Sequence, residues 1–381
     1  MTDRAVTPIL VASFDELRRT HTSIKWRTFD EDVLPVWVAE MDARPCEPVV
    51  EAVTAALARG DTGYPVAEPF AHAFAGFAKG RWQWELDPAT VGLVPDVMIG
   101  VAELLRLATE RGGPVIVSPP CYNAFFGFIE SIRRRWVEAP LDDAGRLDPG
   151  ALRAAFASVR GERAAYLLCN PQNPTGVVHT RGELETLAAL AREYDVTVVS
   201  DEIHAPLLQP GETFTPYVTV TGGETGIAVL SGSKAWNLAA LKAAVAVPGA
   251  EAGELFGGLH EVNSFGASHL GVVAQTAAFT DGEAWLDQVI AEIGANARLL
   301  ESLLAEAIPE IVYRPAASAY FGWLDCRRLG LGEDPAATFL ARGRVALSSG
   351  PEYHGAGFVR FNLATSPANV TEAVRRMASA I

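Results

Sequence analysis

Short apolar runs alternate with longer amphipathic stretches through the middle of the chain. Several of the runs are almost continuously apolar, which is typical of strands that are buried on both faces of a parallel sheet. The predicted strands are Val91–Val94, Val115–Ser118, Arg135–Val137, Ala164–Cys169, Val196–Ser200, Ile227–Leu230 and Ala243–Val247. Helical periodicity predicts helices over Asp96–Arg111 and Arg181–Tyr194, the second opened by a capping box of Thr180 and Glu183. The pattern therefore predicts an α/β fold with a mostly parallel, seven-stranded sheet.

The alternation stops after about Gly249. Residues 276–308 are predicted to be largely helical, Ala316–Asp325 to hold a strand, and Ala368–Ile381 to form a last amphipathic helix. The Pro-rich stretch LPVWVAEMDARPCEP does not suit a helix interior and predicts an extended arm. The predicted domains are an N-terminal arm over residues 1–45 that joins the small domain, a large domain over 46–275, and a small α+β domain over 276–381.

Composition narrows the possible partners. The net charge of −15 disfavours a nucleic-acid or anionic-membrane surface, and no run approaches the 18 or so apolar residues that span a bilayer. The N-terminus lacks the pattern of a secretory signal. The scattered cysteines have no metal-ligand spacing, so we predict no metal site and a reduced, cytoplasmic setting. They are Cys46, Cys121, Cys169 and Cys326.

Two polar motifs follow predicted strands directly. CNPQNPTG (169–176) contains Asn173, and VVSDEIH (198–204) contains Asp201 and His204. Ligands bind at the carboxyl edge of open α/β sheets, where a buried carboxylate such as Asp201 needs a cationic partner. A protonated pyridine nitrogen of pyridoxal phosphate (PLP) meets that need. Taken alone, the first motif is more typical of a plain loop and His204 of a structural histidine, whereas Asp201 is equally typical of a helix N-cap.

LSGSKAWNL (230–238) follows another apolar run and contains Ser231, Ser233 and Lys234. Small residues leave backbone N–H groups available for a phosphate, and a lysine there can form an imine with an aldehyde cofactor. Lys242 could neutralise the phosphate while Lys234 stays available for covalent chemistry. Only four lysines occur in the chain, Lys25, Lys79, Lys234 and Lys242, which makes a merely solvated role for this pair less expected.

GFVRFNLAT (357–365) places Arg360 alone in an apolar alternating run of the small domain. Arginine grips carboxylates with two parallel hydrogen bonds, so an amino-acid carboxylate is the expected guest. A salt bridge to a carboxylate of the protein itself is the alternative.

In their order and spacing, Asn173, Asp201, Lys234 and Arg360 resemble the site of fold-type-I PLP enzymes, the class I and II aminotransferase superfamily. Within it the chain resembles the MalY/PatB group of cystathionine β-lyases. The motifs that carry this resemblance are Lys25-Trp26, LPVWVAEMD (34–42), TGYP (62–65), DEIH (201–204) and SKAWN (233–237). The chain departs from the group at Ala43 and Pro206, which concerns the substrate pocket and a loop rather than the cofactor.

The resemblance implies a role for each matching residue. Lys234 is expected to carry PLP as a Schiff base and to move the Cα proton, Asp201 to pair with the pyridine nitrogen, and Asn173 to bind the phenolic oxygen. Tyr122 is expected to stack on the ring, and His204 to lie beside the cofactor. The expected phosphate contacts are Ser231, Ser233, Lys242, the backbone of Val97 and Met98, and Tyr64 of a neighbouring subunit. Arg360 is expected to hold the substrate carboxylate, with Tyr64 and the backbone of Ala39 beside the substrate.

These roles imply a homodimeric lyase, with an active site shared between subunits, that cleaves cystathionine or another S-substituted cysteine. An aminotransferase would use the same residues, because the two reactions diverge only after Cα deprotonation. A PLP-binding regulatory protein with little turnover is a third possibility. The spacing of residues does not distinguish lyase from aminotransferase, and it does not identify the natural substrate.

Overall fold

The computed structural model describes residues 7–381, which divide into two compact units. The sheet unit comprises Cys46–Glu283 and Ala317–Ala319. The arm unit comprises residues 7–45 together with Ala284–Ala316 and Tyr320–Ile381. The sheet unit thus extends to Glu283, beyond the boundary at residue 275 that the sequence pattern suggests.

The strands, in chain order, are β1 Leu34–Pro35, β2 Gly92–Val94, β3 Pro114–Val117, β4 Arg135–Glu138, β5 Ala164–Cys169, β6 Val196–Asp201, β7 Ile227–Leu230, β8 Ala244–Pro248, β9 Phe321–Asp325, β10 Val345–Ala346, β11 Ser348–Ser349 and β12 Phe358–Asn362. The helices are α1 Phe14–Thr20, α2 Ile24–Arg27, α3 Glu47–Ala58, α4 Glu68–Trp82, α5 Val97–Ala108, α6 Ala124–Ser131, α7 Pro149–Ser158, α8 Arg181–Tyr194, α9 Gly253–Gly257, α10 Val262–Phe265, α11 His269–Asp281, α12 Glu283–Ala307, α13 Pro335–Gly343 and α14 Pro367–Ala378.

The sheet unit is built on a seven-stranded sheet in the order β2-β8-β7-β6-β5-β3-β4. Pairing is parallel from β7 to β4 and antiparallel only where β8 meets β2 and β7. Every residue of β3, β5 and β7 is buried, because helices cover both faces. The predicted fold and its seven strands are confirmed, with ends shifted by one residue at most.

Helix α8 shows why the sequence folds locally as it does. The Thr180 hydroxyl accepts a hydrogen bond from Glu183 N–H, and the Glu183 carboxylate accepts one from Thr180 N–H, so the predicted capping box is present. Its apolar face buries Leu184 and Leu187, and Asp195 ends it in the left-handed region at φ 57°. This short return leads directly into β6, which begins at Val196.

The arm unit contains the antiparallel sheet β11-β12-β9 and the parallel pair β1-β10. The long helix α12 buries an apolar face that includes Leu286, Val289, Ile293 and Leu300. Helix α14 begins at a Ser366 cap, and its hydroxyl accepts a hydrogen bond from Asn369 N–H. The predicted last helix is therefore present, although it begins at Pro367 and ends at Ala378.

Two predicted elements differ from those observed. The helical stretch over 276–308 is two helices separated at Gly282, where a Cβ atom would lie 2.5 Å from the Ala278 carbonyl oxygen. The strand predicted over Ala316–Asp325 begins only at Phe321. The preceding residues pair with the sheet unit instead, since Gln209 N–H donates to the Ala317 carbonyl and Ala319 N–H to the Leu207 carbonyl. Along residues 7–381, no helix has the length and apolar character needed to cross a membrane.

Candidate active site

Three loops meet at the carboxyl edge of β5, β6 and β7. Cys169, the last residue of β5, pairs in register with Asp201 of β6, and Asp201 pairs with Val229 of β7. Two backbone hydrogen bonds extend these ladders, from Asn170 N–H to the Asp201 carbonyl and from Glu202 N–H to the Val229 carbonyl. The segments that carry Asn173, Asp201 and Lys234 therefore leave the sheet side by side. This is the edge at which open α/β sheets bind ligands.

Asp201 is the buried anion of this edge, with only 4% of its surface exposed. Its Oδ1 accepts a hydrogen bond of 3.1 Å from Ile203 N–H. Burial raises the pKa of Asp201 to about 7, although the Ile203 hydrogen bond and the charge of Lys234 act in the opposite direction. Residues 203–206 form a turn rather than a helix, so Asp201 is not a helix N-cap. The buried carboxylate fits a protonated pyridine nitrogen, because a cation that donates to Asp201 would offset the cost of burying its charge.

Lys234 lies in a turn that is fixed by neighbours on two sides. Gly232 N–H donates to Gln275 Oε1 at 2.8 Å, and Trp236 N–H donates to the Gly232 carbonyl at 2.9 Å. A Cβ atom at Gly232 would lie 2.7 Å from Gln275 Oε1 and from the Trp236 ring, so only glycine fits. Trp236 is itself buried, and its Nε1 donates to the Gly282 carbonyl at 3.0 Å. The turn therefore presents a half-buried Lys234 from a rigid support.

Ser231 and Ser233 occupy the start of this turn. The buried Ser231 hydroxyl donates to the Ala243 carbonyl at 2.8 Å and accepts from Ser233 N–H and Gln275 Nε2 at 3.1 Å each. These bonds use the hydroxyl's one donor and both acceptor positions. A phosphate contact at Ser231 therefore requires one of them to be exchanged, whereas the half-buried Ser233 side chain lies nearer to solvent.

The phosphate is expected at the beginning of α5. Asp96 caps this helix by accepting from Ile99 N–H at 2.8 Å, and the N–H groups of Val97 and Met98 lie in its first turn. Such groups have no partner within the helix and favour anions. Lys242 Nζ lies 2.8 Å from Asp96 Oδ2, so the predicted cation is placed at the same helix terminus.

Three further residues line the loops of this edge. Gln172 Nε2 donates to the carbonyls of Ser118 and Pro120 at 3.3 and 2.8 Å, which ties the buried Asn173 loop to the loop that carries Tyr122. Tyr122 packs on the hydrophobic core and meets Phe125 edge to face at 5.5 Å. His204 is also buried, and its carbonyl accepts from Leu207 N–H at 2.9 Å.

Tyr64 differs from the other predicted residues because 82% of its surface is exposed. Its ring meets Phe265 edge to face at 6.0 Å, and Phe265 and Val262 are exposed as well. The contact of Tyr64 with a neighbouring subunit stays a prediction.

Arg360 lies in the arm unit, in the middle of β12, with 3% of its surface exposed. Its guanidinium lies 4.2 Å from the centre of the Phe321 ring and 4.9 Å from that of Tyr353. Nη2 donates to the Trp37 carbonyl at 3.1 Å and to Ser348 Oγ at 3.3 Å. Aromatic faces and fixed hydrogen bonds thus orient a buried cation, the arrangement that suits a carboxylate guest.

Ala39 lies in a bend beside β12 and not in the extended arm that the sequence predicts, because Glu40 N–H donates to the Val38 carbonyl at 2.8 Å. Asn362 Nδ2 donates to the carbonyls on either side of it, Val38 and Glu40, at 2.7 Å each. Among residues 7–381, no group of three or more His, Cys, Asp or Glu side chains has the arrangement of a metal site.

A family model for class I and II aminotransferases matches residues 33–377. The chain belongs to that family. A Mycobacterium leprae protein named "Putative cystathionine beta-lyase" is 47% identical over 387 residues, which cover 96% of each chain. The cystathionine beta-lyase PatB of Bacillus subtilis is 32% identical and covers 94% of this chain and 96% of its own. The similarity to PatB confirms the predicted resemblance to its group.

Solved structures of the family share the fold. The crystal structure of a "putative plp-dependent beta-cystathionase" from Corynebacterium diphtheriae superposes with a TM-score of 0.90 at 33% identity and covers 98% of both chains. Cystalysin from Treponema denticola, a PLP-containing protein, superposes with a TM-score of 0.88 at 24% identity, which speaks for the fold alone. The predicted fold type is thereby confirmed.

Three residues of the site lie outside the sequence-based prediction. Gln275 has the appearance of an ordinary core position of α11, yet its amide holds both Gly232 and Ser231. Asp96 gives only the signal of a helix cap, yet it also pairs with Lys242. Asn362 stands two residues after Arg360, and strand alternation alone places both side chains on one face of β12.

Proposed function

We propose that this chain is a PLP-dependent carbon–sulfur β-lyase that cleaves cystathionine or other S-substituted cysteines to a thiol, pyruvate and ammonia. The observation that carries the proposal is similarity over nearly the whole chain to proteins named cystathionine beta-lyase, including PatB. The buried Asp201 beside the Lys234 turn supports the cofactor, since it supplies the anion that a pyridinium requires.

When bound, PLP supplies an electron sink for the carbanion that forms at Cα. Lys234 would hold the cofactor aldehyde covalently, and its free amine would take the Cα proton of the substrate. Asp201 would keep the pyridine nitrogen protonated, and Asn173 would donate to the phenolic oxygen. Tyr122 would pack on the ring, and the phosphate would be bound by the N–H groups of Val97 and Met98 together with Ser231, Ser233 and Lys242. His204, in the turn that follows Asp201, would lie beside the cofactor.

Arg360 binds the substrate carboxylate, and the backbone at Ala39 borders the substrate. Tyr64 completes the phosphate site of a second subunit in a homodimer. The leaving group departs from Cβ as a thiolate, and hydrolysis of the remaining three-carbon unit gives pyruvate and ammonia. A reduced, cytoplasmic location accords with the buried thiols of the described cysteines, because burial raises the pKa of Cys46, Cys169 and Cys326 and disfavours the reactive thiolate.

The test is an assay of purified protein with cystathionine and a panel of S-substituted cysteines, scored for thiol and pyruvate. We expect both products in equal amounts without any added 2-oxo acid. Strict dependence on 2-oxoglutarate would instead identify an aminotransferase. Bound PLP with no turnover of any amino acid would favour a regulatory protein.

A further inference from the structure

The segment from Trp37 to Asp42 follows β1 without belonging to any helix or strand. Three of its carbonyl groups nevertheless accept hydrogen bonds from neighbouring side chains: that of Trp37 from Arg360 and Ser348, and those of Val38 and Glu40 from Asn362. The carbonyl of Glu40 also accepts from Lys25 Nζ at 3.0 Å. Side chains, rather than a sheet ladder, therefore determine the course of this backbone.

Asn362 makes the most specific of these contacts. The residue is fully buried, both N–H groups of its amide donate at 2.7 Å, and its Oδ1 accepts from Ala364 N–H at 2.8 Å. An amide satisfies this arrangement because it offers two donors and one acceptor group. A carboxylate of the same shape would place negative oxygen against two carbonyl oxygens in a buried setting.

Arg360 and Asn362 are alternate residues of β12, so their side chains leave the same face of the strand. Both reach the Trp37–Glu40 backbone, at distances of 2.7 to 3.1 Å. The strand thus fixes the guanidinium and this backbone in a common frame.

A buried ion pair holds the other end of the segment. Lys25 Nζ lies 2.8 Å from Asp42 Oδ1, and both side chains are almost completely inaccessible. Trp26 Nε1 donates to the same Asp42 oxygen at 3.2 Å, and Asp42 N–H donates to the Ala364 carbonyl at 2.8 Å. A buried pair is retained at a desolvation cost, and fixing one local arrangement is a recognised use of such pairs.

We infer that Asn362 is a positioning residue for substrate binding, which sets the backbone around Ala39 relative to Arg360 from within the arm unit. The Lys25–Asp42 pair anchors the far end of the same segment. The inference rests on the proposed function, in which Arg360 and Ala39 contact the substrate. A displacement of about 1 Å in such a frame is enough to reduce turnover by roughly 10²-fold.

A purely structural role for Asn362 is the competing explanation, and the chain contains a matched control. Asn296 is also a buried asparagine of the arm unit, and its Nδ2 donates to two backbone carbonyls, those of Leu363 and Thr365, at 2.9 and 2.7 Å. Asn296→Asp therefore imposes the same chemical disturbance without touching the Trp37–Glu40 backbone.

The experiment compares N362D, N296D and wild-type holoenzyme. Michaelis constants are measured with cystathionine, and binding is measured with L-alanine, which has the same amine and carboxylate but no leaving group. We expect N362D to weaken both by about tenfold or more while retaining its PLP, and N296D to change them by less than about threefold despite a similar loss of thermal stability. Hydrogen exchange at residues 38–42 should accelerate in N362D alone. If N362D does not fold, N362A is measured in its place with the same expectation.

Equal effects of N362D and N296D, or unchanged affinity in N362D, would overturn the inference. R360K separates this result from failure of the proposed function. If R360K weakens L-alanine binding while N362D does not, only the positioning role of Asn362 is wrong. If neither variant affects L-alanine binding, the assignment of Arg360 to the substrate carboxylate is wrong as well.

Discussion

At the edge of the large sheet, Asp201 is buried and its pKa is raised to about 7, even with Ile203 N–H and the charge of Lys234 nearby. In the arm unit, Lys25 and Asp42 are equally buried, yet they lie 2.8 Å apart and compensate each other. The first region holds an anion whose burial a ligand cation can offset, whereas the second is complete within the chain. Buried charge therefore indicates a ligand site only where the chain does not already provide its counterpart.

We assign the covalent chemistry to the edge of the large sheet, and Lys234→Ala is the strongest test of that assignment. We expect lyase turnover to fall by roughly 10³-fold, because the variant loses both the covalent link and the base. Circular dichroism should show a retained fold, since the supports of the turn come from Gly232, Trp236 and Gln275. Lys79→Ala is the control, because Lys79 is exposed and pairs only with the exposed Glu85 at 2.9 Å among its described ion pairs. Comparable losses of turnover in Lys234→Ala and Lys79→Ala would contradict the assignment of covalent chemistry to Lys234.

Arg360→Ala probes the proposed substrate contact of the arm unit, at a buried cation separate from the Lys25–Asp42 pair. We expect substrate affinity to fall by about 2–5 kcal/mol, because a buried carboxylate would lose its charged partner, while PLP content stays unchanged. Steady-state kinetics and cofactor absorbance measure the two quantities. The exposed Arg375, which pairs with Glu372 at 2.7 Å, gives the control variant Arg375→Ala. A wild-type apparent affinity in Arg360→Ala would contradict the role given to this arginine.

The raised pKa of Asp201 predicts a smaller effect, a dependence of the stability of the cofactor-free protein on pH. The unfolded carboxyl ionises near 3.8 and the folded one near 7, so the folded, cofactor-free protein holds an extra proton between these values. Its stability should therefore fall as pH rises through this window, by at most about 1.4 kcal/mol per pH unit for this group. Asp201→Asn should flatten the slope, as should added PLP in the wild type.

Denaturant unfolding between pH 4 and pH 8 measures this slope. The neighbouring Glu202, whose pKa burial raises to about 8, adds a contribution of the same sign that remains in Asp201→Asn. An unchanged slope in that variant would show that Asp201 is compensated within the chain after all.

Hydrophobic patterning predicted the scaffold well because it reports burial directly. All seven strands of the large sheet and the capped helix Arg181–Tyr194 follow from apolar runs and one capping box. Errors arose where tertiary contacts override the pattern. Ala317–Ala319 leave the predicted strand to pair with residues 207–209, and Gly282 interrupts a continuous helical pattern beside Trp236.

Sequence reasoning singles out residues whose chemistry is unusual in an apolar setting, such as Asp201, Lys234 and Arg360, and their roles stay predictions. It missed amides that act on the backbone, because Gln275 and Asn362 have no distinctive residue pattern around them. Lys25, Trp26 and Asp42 served only as marks of a subgroup in the sequence. The structure gives them a shared physical basis, since both Lys25 and Trp26 contact the same Asp42 oxygen.

The most direct measurement of the central claim is reductive trapping of the wild-type protein with PLP and borohydride, followed by peptide mapping. The account predicts one reduced pyridoxyl adduct per chain, located on Lys234 in the peptide that contains SGSKAWNL. An adduct on Lys25, Lys79 or Lys242 instead, or no adduct at all, would contradict it.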